Sequence, residues 1–191
     1  THHALILTMH HIITDGWSLG ILWAELAALY EAYGRGEPSP LDELLVQYAD
    51  YAVWQRAWLK GEVLSVQLNY WKKQLAGISA FLEIPADKPR PAVQSFAGNM
   101  VSRPVSPKLW EGLKKFSRRE DATPFMVMLA VYETLLLRYT GQEDFAVGTP
   151  VANRNHLETE GMIGFFLNTL VLRADLRWRP SFRELLGRVR E

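Results

Sequence analysis

The sequence predicts a mixed α/β fold in which sheets and helices pack in layers, and three observations predict it. Short apolar runs of strand character occur at residues 4–13, 145–148 and 163–173. Between them, apolar residues recur every three or four positions, the period of a helix with one buried face. The chain is 48% hydrophobic and 12% aromatic, which supplies enough apolar area for a layered core. Its 191 residues fit one domain or a piece of something larger, at roughly 100–200 residues per domain.

The elements follow in order β–α–α–α, a linker, then β–α–α–β–β–α. Residues 4–13 (ALILTMHHII) read as a buried strand that begins at the very start of the chain, with Thr1 and His2 in it. Asp15-Gly16 turns the chain, and Leu19, Leu22, Trp23, Leu26, Leu29, Tyr30 and Tyr33 mark one face of a helix. Asp15 or Ser18 caps its start, and Gly34 stands where a terminating glycine belongs. A second helix is predicted over 43–59, broken by Gly61, and a third over 62–76, ended by Gly77. Pro85, Pro89 and Pro91 keep residues 84–98 extended, as an internal linker.

Residues 99–105 read as a short strand. Ser106-Pro107 and Thr123-Pro124 are two helix starts, each a capping hydroxyl followed by proline at the first helical position. The helix over 124–139 is apolar on nearly every side, which predicts deep burial. Strands at 145–148 and 163–173 flank a polar loop, and Ser181-Phe182-Arg183-Glu184 is a capping box that opens a last helix. Both ends look cut: residue 1 is Thr inside a strand pattern, and the last helix has no stop signal.

Composition excludes several function classes. Lys plus Arg and Asp plus Glu are 21 each, so the net charge is zero and no basic surface for nucleic acid or anionic membrane is expected. No uncharged apolar run reaches the roughly 18 residues of a membrane-spanning helix. With no cysteine there is no thiol nucleophile, disulfide framework or cysteine metal site, which fits a reducing cytoplasm. Neither a phosphate-cradling glycine loop nor a G-x-S-x-G elbow occurs.

Chemistry concentrates at His10-His11-Ile12-Ile13-Thr14-Asp15-Gly16. A histidine at a strand end can exchange a proton near neutral pH, or it can be a core residue bonded to a backbone carbonyl. Adjacent strand residues point to opposite faces, so only one of His10 and His11 faces a cleft. Asp15 orients the histidine, pairs with a buried cation, or caps the helix. Gly16 allows positive φ or a close approach. A metal site is disfavoured, because the histidines lack the three- or four-ligand geometry that zinc requires. The aromatics at 48, 51, 54 and 58 form either a stacking surface or, at helical spacing, a core stripe.

These residues resemble a known family. The stretch 9–18, MHHIITDGWS, resembles the HHxxxDG motif of nonribosomal peptide synthetase condensation domains. The stretch 48–55, YADYAVWQ, resembles YxDYAxWQ. Residues 70–75 with LEIP and DKPRP at 82–91 resemble the family's YWxxxL and LxLPxDxPRP stretch. GTPVANR at 148–154 and MIGFFLNT at 162–169, with Arg173, resemble its GTPVAxR and IGxFVNT block, Leu167 standing in place of Val.

The resemblance implies a chloramphenicol-acetyltransferase-like fold of two lobes, of which this chain is a middle piece. Residues 1–83 are then the end of the N-terminal lobe, 84–98 the linker, and 99–191 the start of the C-terminal lobe. It implies amide-bond formation between an aminoacyl or peptidyl thioester donor and an aminoacyl acceptor, each on the phosphopantetheine arm of a carrier domain. No cofactor is bound by the chain itself. The partners implied are upstream and downstream peptidyl carrier domains and an adenylation domain of the same cytoplasmic synthetase, with no nucleic acid or membrane. His11 and Gly16 are the implied catalytic residues. His10 and Asp15 support the site, with Arg154 first and Arg173 second as the ion-pair partner of Asp15. Trp17, Ser18 and Asn168 are the candidates for lining a tunnel. An epimerization domain shares the motif but lacks the 163–169 block, and a heterocyclization domain replaces the histidines with aspartates. A free-standing acyltransferase lacks the YADYAVWQ match, and a degenerate docking platform would not need His11, Asp15 and Gly16 intact.

Overall fold

A computed structural model describes residues 3–89 and 91–191; Thr1 and His2 of the expected first strand, and Arg90 of the DKPRP stretch, lie outside the described residues. The chain divides into two compact units, Thr1–Gln74 with Gly148–Val171, and Leu75–Val147 with Leu172–Glu191. This division differs from a break at 84–98: residues 148–171 belong with the first unit, and 84–98 lies inside the second. No helix among the described residues is long and apolar enough to cross a membrane.

The first unit is built on three helices: α1 (Gly16–Gly34), α2 (Tyr48–Trp58) and α3 (Gly61–Gln74). Asp15 caps α1, accepting a hydrogen bond from the Ser18 N–H, while α1 ends on a turn whose left-handed residue is Gly36 (φ 74°), not Gly34. α2 starts five residues later than expected. Gln47 caps it, and the Asp50 carboxylate accepts from the Gln47 N–H at 2.9 Å. Gly61 does not merely break α2, since it is the first residue of α3.

The second unit holds α4 (Pro107–Arg119), α5 (Pro124–Thr140) and α7 (Phe182–Arg190). Ser106, Thr123 and Ser181 cap them as their sequences predict. Val127, Ala130 and Leu136 of α5 form the core with Phe145, Ala174, Leu176, Leu185 and Leu186. The expected all-round burial of α5 is corrected: Phe125, Met128, Val131 and Leu135 are exposed. Only the stripe at spacing three, which packs toward α4 and α7, is covered.

Two strands, β1 (Asp144–Val151) and β2 (Asn168–Asp175), pair in one sheet, and α6 (Leu157–Glu160) lies on the connection. They run antiparallel, since Leu176 N–H donates to the Glu143 carbonyl while Thr169 lies against Gly148. Three expected strands are corrected. Residues 4–10 and 99–105 join no described strand, residues 11–13 turn into a short 3-10 helix, and Leu5, Ile6 and Val101 are exposed. A strand exists only where a neighbour satisfies its backbone groups. Residues 163–167 are irregular, and the backbone groups of 164, 165 and 166 bond to side chains instead of a ladder.

Candidate functional site

The HHxxxDG segment folds as one tight turn. Residues His11–Ile13 make a 3-10 turn, and the His10 Nδ1 accepts the Ile12 N–H at 3.0 Å, so His10 serves as the cap of that turn. The His11 Nδ1 lies 2.6 Å from the Thr14 carbonyl. A carbonyl only accepts, so Nδ1 carries the proton and Nε2 of the neutral ring is the lone-pair nitrogen. The Phe165 ring meets the His11 ring edge-on, 5.3 Å between centroids. His11, Thr14, Asp15 and Gly16 line a cavity of about 350 Å³ with Leu7, Met9 and Leu19.

Beneath this turn, Asp15 and Ser18 are buried. Asp15 Oδ1 accepts from the Ser18 N–H and O–H, both at 2.8 Å, and from Arg154 Nη2 at 3.4 Å. Oδ2 accepts the Phe166 N–H at 3.0 Å. Burial alone raises the Asp15 pKa. The backbone N–H groups of Ser18 and Phe166, the Ser18 hydroxyl and the Arg154 charge outweigh it and bring the group down to about 2. Asp15 is therefore an anion at neutral pH, saturated with donors, and it takes the pairing and capping roles together.

The Arg154 side chain is as buried as its partner, 1% and 2% exposed. Nη1 donates to the carbonyls of Thr159 and of Met162, the latter at 2.8 Å, and Nη2 donates to Ser18 Oγ at 2.8 Å. The guanidinium lies 4.1 Å from the Phe166 ring centroid and 5.7 Å from that of Trp17. Arg173, the second candidate for Asp15, is elsewhere. It grips Asp144 in a bidentate pair at 2.8 and 2.7 Å, which lowers the Asp144 pKa first through the hydrogen bond.

The other expected site residues separate. Trp17 is half-exposed and its indole N–H donates to the Glu160 carbonyl at 3.0 Å. Ser18 is corrected from a tunnel wall to a fully buried connector, at 0% exposed. Gly16 needs neither positive φ nor a close approach: an added Cβ would meet nothing within 4 Å. It heads α1, where N–H groups have no helical acceptor. Asn168 lines a separate cavity of about 420 Å³ with Trp54, Trp58, Asn153 and Asn155. Among the described residues no group of three or more His, Asp or Glu is arranged to hold a metal ion.

Several residues that build the site stand in the YADYAVWQ and MIGFFLNT stretches, where nothing in the sequence gives them a role at the site. The Tyr48 hydroxyl donates to the Phe165 carbonyl at 2.8 Å, and Tyr48 and Tyr51 pack on Phe166. So the first half of the α2 aromatic row is packing, while Trp54 and Trp58 stack in parallel at the surface. Gly164 lets the Tyr48 ring close in, since a Cβ there would fall 2.2 Å from it. A glycine in an apolar run signals close approach, but not to which ring.

The site is thus a turn that presents a histidine at a cavity, above a buried Asp-Arg pair, in a chain of mixed helices and strands. The chain belongs to the condensation-domain family, whose profile, described as Condensation domain, matches residues 1–191. Among its relatives are two subunits of linear gramicidin synthase from Brevibacillus parabrevis, 58% and 55% identical to it, each over 186 residues. Each match covers 97% of this chain and 4% of the relative, so the chain spans a small part of the curated relatives. The crystal structure of the X-domain from teicoplanin biosynthesis superposes with a TM-score of 0.87 at 29% identity, covering 95% of this chain and 41% of that one.

Proposed function

We propose that this chain is the central portion of a condensation domain that forms amide bonds in nonribosomal peptide synthesis. The observation that carries the reading is the hydrogen bond from His11 Nδ1 to the Thr14 carbonyl, which leaves Nε2 free to accept a proton at the cavity. The donor is an aminoacyl or peptidyl thioester and the acceptor an aminoacyl amine, each on the phosphopantetheine arm of a carrier domain. As the amine nitrogen bonds to the thioester carbonyl carbon, Nε2 accepts or orients the proton that nitrogen sheds. The tetrahedral intermediate collapses, the carbon–sulfur bond breaks, and the proton passes to the departing thiolate. A thioester is already activated, so no serine nucleophile is needed. The N–H of Gly16, free at the head of α1, faces the developing oxyanion in this reading. The neighbouring domains are two peptidyl carriers and an adenylation domain of the same synthetase.

The test is His11→Ala in the full-length synthetase, fed with two loaded carrier domains. The rate of dipeptidyl product should fall by about 10²–10⁴, the usual range for a positioned acid–base group. A rate within twofold of the parent would overturn the reading.

A further inference from the structure

Resting on that reading, we propose that Ser18 is a positioning residue for His11, acting through the main chain of Gly164–Phe166. Ser18 Oγ stands within hydrogen-bond distance of four groups: Asp15 Oδ1 at 2.8 Å, the Gly164 carbonyl at 2.8 Å, the Gly164 N–H at 3.1 Å and Arg154 Nη2 at 2.8 Å. A hydroxyl has one proton and two lone pairs. The lone pairs take the Gly164 and Arg154 N–H groups, and the proton goes to Asp15 or to the Gly164 carbonyl. Ser18 thus holds the Gly164 N–H as acceptor, and its Oγ also lies 2.8 Å from the Gly164 carbonyl. Asp15 Oδ2 holds the Phe166 N–H, and Tyr48 holds the Phe165 carbonyl. Phe165 is the residue between these anchors. Phe165 is itself 38% exposed, yet its ring stands at 86° to the His11 ring.

The consequence is a fixed imidazole. One edge of His11 is held by Thr14, and the Phe165 ring lies against it because the backbone beneath is tied to Ser18. Removing the hydroxyl leaves the Gly164 N–H without its acceptor in a buried place, so segment 164–166 shifts and the Phe165 ring moves off His11. A misplacement of about 1 Å in a reacting group costs on the order of 10²-fold in rate.

The experiment compares Ser18→Ala, Phe165→Leu and His11→Ala with the parent in the full-length synthetase. It measures kcat and KM for the acceptor carrier, and the ¹⁵N signals of His11 after selective histidine labelling. Ser18→Ala should lower kcat by about ten- to a hundredfold and leave KM within twofold. Its His11 ring signals should shift as the Phe165 ring moves away, while Nδ1 keeps the proton that the Thr14 carbonyl holds. Phe165→Leu leaves the hydroxyl network intact and should give the same two changes, so the inference stays testable where Ser18→Ala does not fold. Unchanged kcat in either folded variant overturns it. So does a lost kcat with His11 signals like the parent's, which would make the role purely structural. A parent that forms no amide, or a His11→Ala variant as fast as the parent, instead overturns the functional reading.

Discussion

The two units of the chain differ in what holds each one's interior. The second has a conventional apolar core, with Phe145, Val127, Ala130, Ala174 and Leu176 each no more than 2% exposed. In the first, buried apolar residues are few, chiefly Ala32, Met162 and Phe166, and the buried set is dominated by Thr14, Asp15, Ser18 and Thr159. There, one carboxylate, one hydroxyl and one guanidinium fix the turn that carries His11 against residues 159–166. Apolar burial is tolerant of direction, whereas a charge-assisted network fails if one member is absent. The first unit holds its histidine turn in one geometry, at the cost of depending on a few atoms.

Asp15→Asn should break the first unit selectively. It leaves the Arg154 cation buried without its anion, a loss of about 3–5 kcal/mol. Hydrogen exchange at the Ser18 and Phe166 amides should accelerate while amides of α5 keep their protection; uniform acceleration would mean that the two units unfold as one. Phe145→Ala is the reverse experiment. It opens a cavity in the second core and should remove about 3–5 kcal/mol, with the protection lost in α5 and α7 and kept at Ser18.

The buried acids of the two units should respond to pH with opposite sign. Glu133 sits in the core-facing stripe of α5, 2% exposed, and its Oε2 has no hydrogen-bond partner among the described residues. Burial raises its pKa from 4.5 to about 7. The native state then holds its proton more tightly than the unfolded chain does. Its cost is absent below about 4.5 and full above about 7. Glu133→Gln should therefore stabilise the chain at pH 8 by on the order of 3 kcal/mol and do little at pH 4, as read from urea midpoints. A parent stability flat between pH 4.5 and 7 would refute this.

Asp15 titrates the other way. Its folded pKa of about 2 lies below the ordinary value of 3.8, so it contributes stability above about 4 that is lost as pH falls through 2. That contribution is about 2 kcal/mol, and exchange at the Phe166 amide between pH 4 and pH 2 should report it. The smallest effect expected is none: Arg35 and Glu37 are paired but more than half exposed, so Arg35→Ala should leave the urea midpoint unchanged.

The helices were legible where sequence carries local chemistry. Ser106-Pro107, Thr123-Pro124 and the Ser181–Glu184 box state their own starts, and the structure begins α4, α5 and α7 there. Strands were less legible because a strand needs a neighbour: residues 4–13 have strand composition but no described partner. The site divides along the same line. That Asp15 needs an arginine partner followed from the rule that a buried carboxylate is paired, and Arg154, which the family resemblance put ahead of Arg173, is the arginine beside it. Ser18 was left between starting the helix and lining a cavity, because a serine near a helix start looks the same in sequence whether it caps, lines a cavity or joins two segments. Thr14 was invisible for another reason: it acts through its carbonyl, which every residue has. Glu133 was hidden by the surrounding apolar residues of its helix.

The Thr14 contact bears on how the site tolerates mutation. The proton on His11 is assigned by a peptide oxygen, not by a side chain. Position 14 can change its side chain without erasing the instruction, provided that the turn keeps its path. The tautomer is in effect inherited with the backbone. A screen of single substitutions at residue 14 would then reveal packing defects and leave the choice of basic nitrogen untouched.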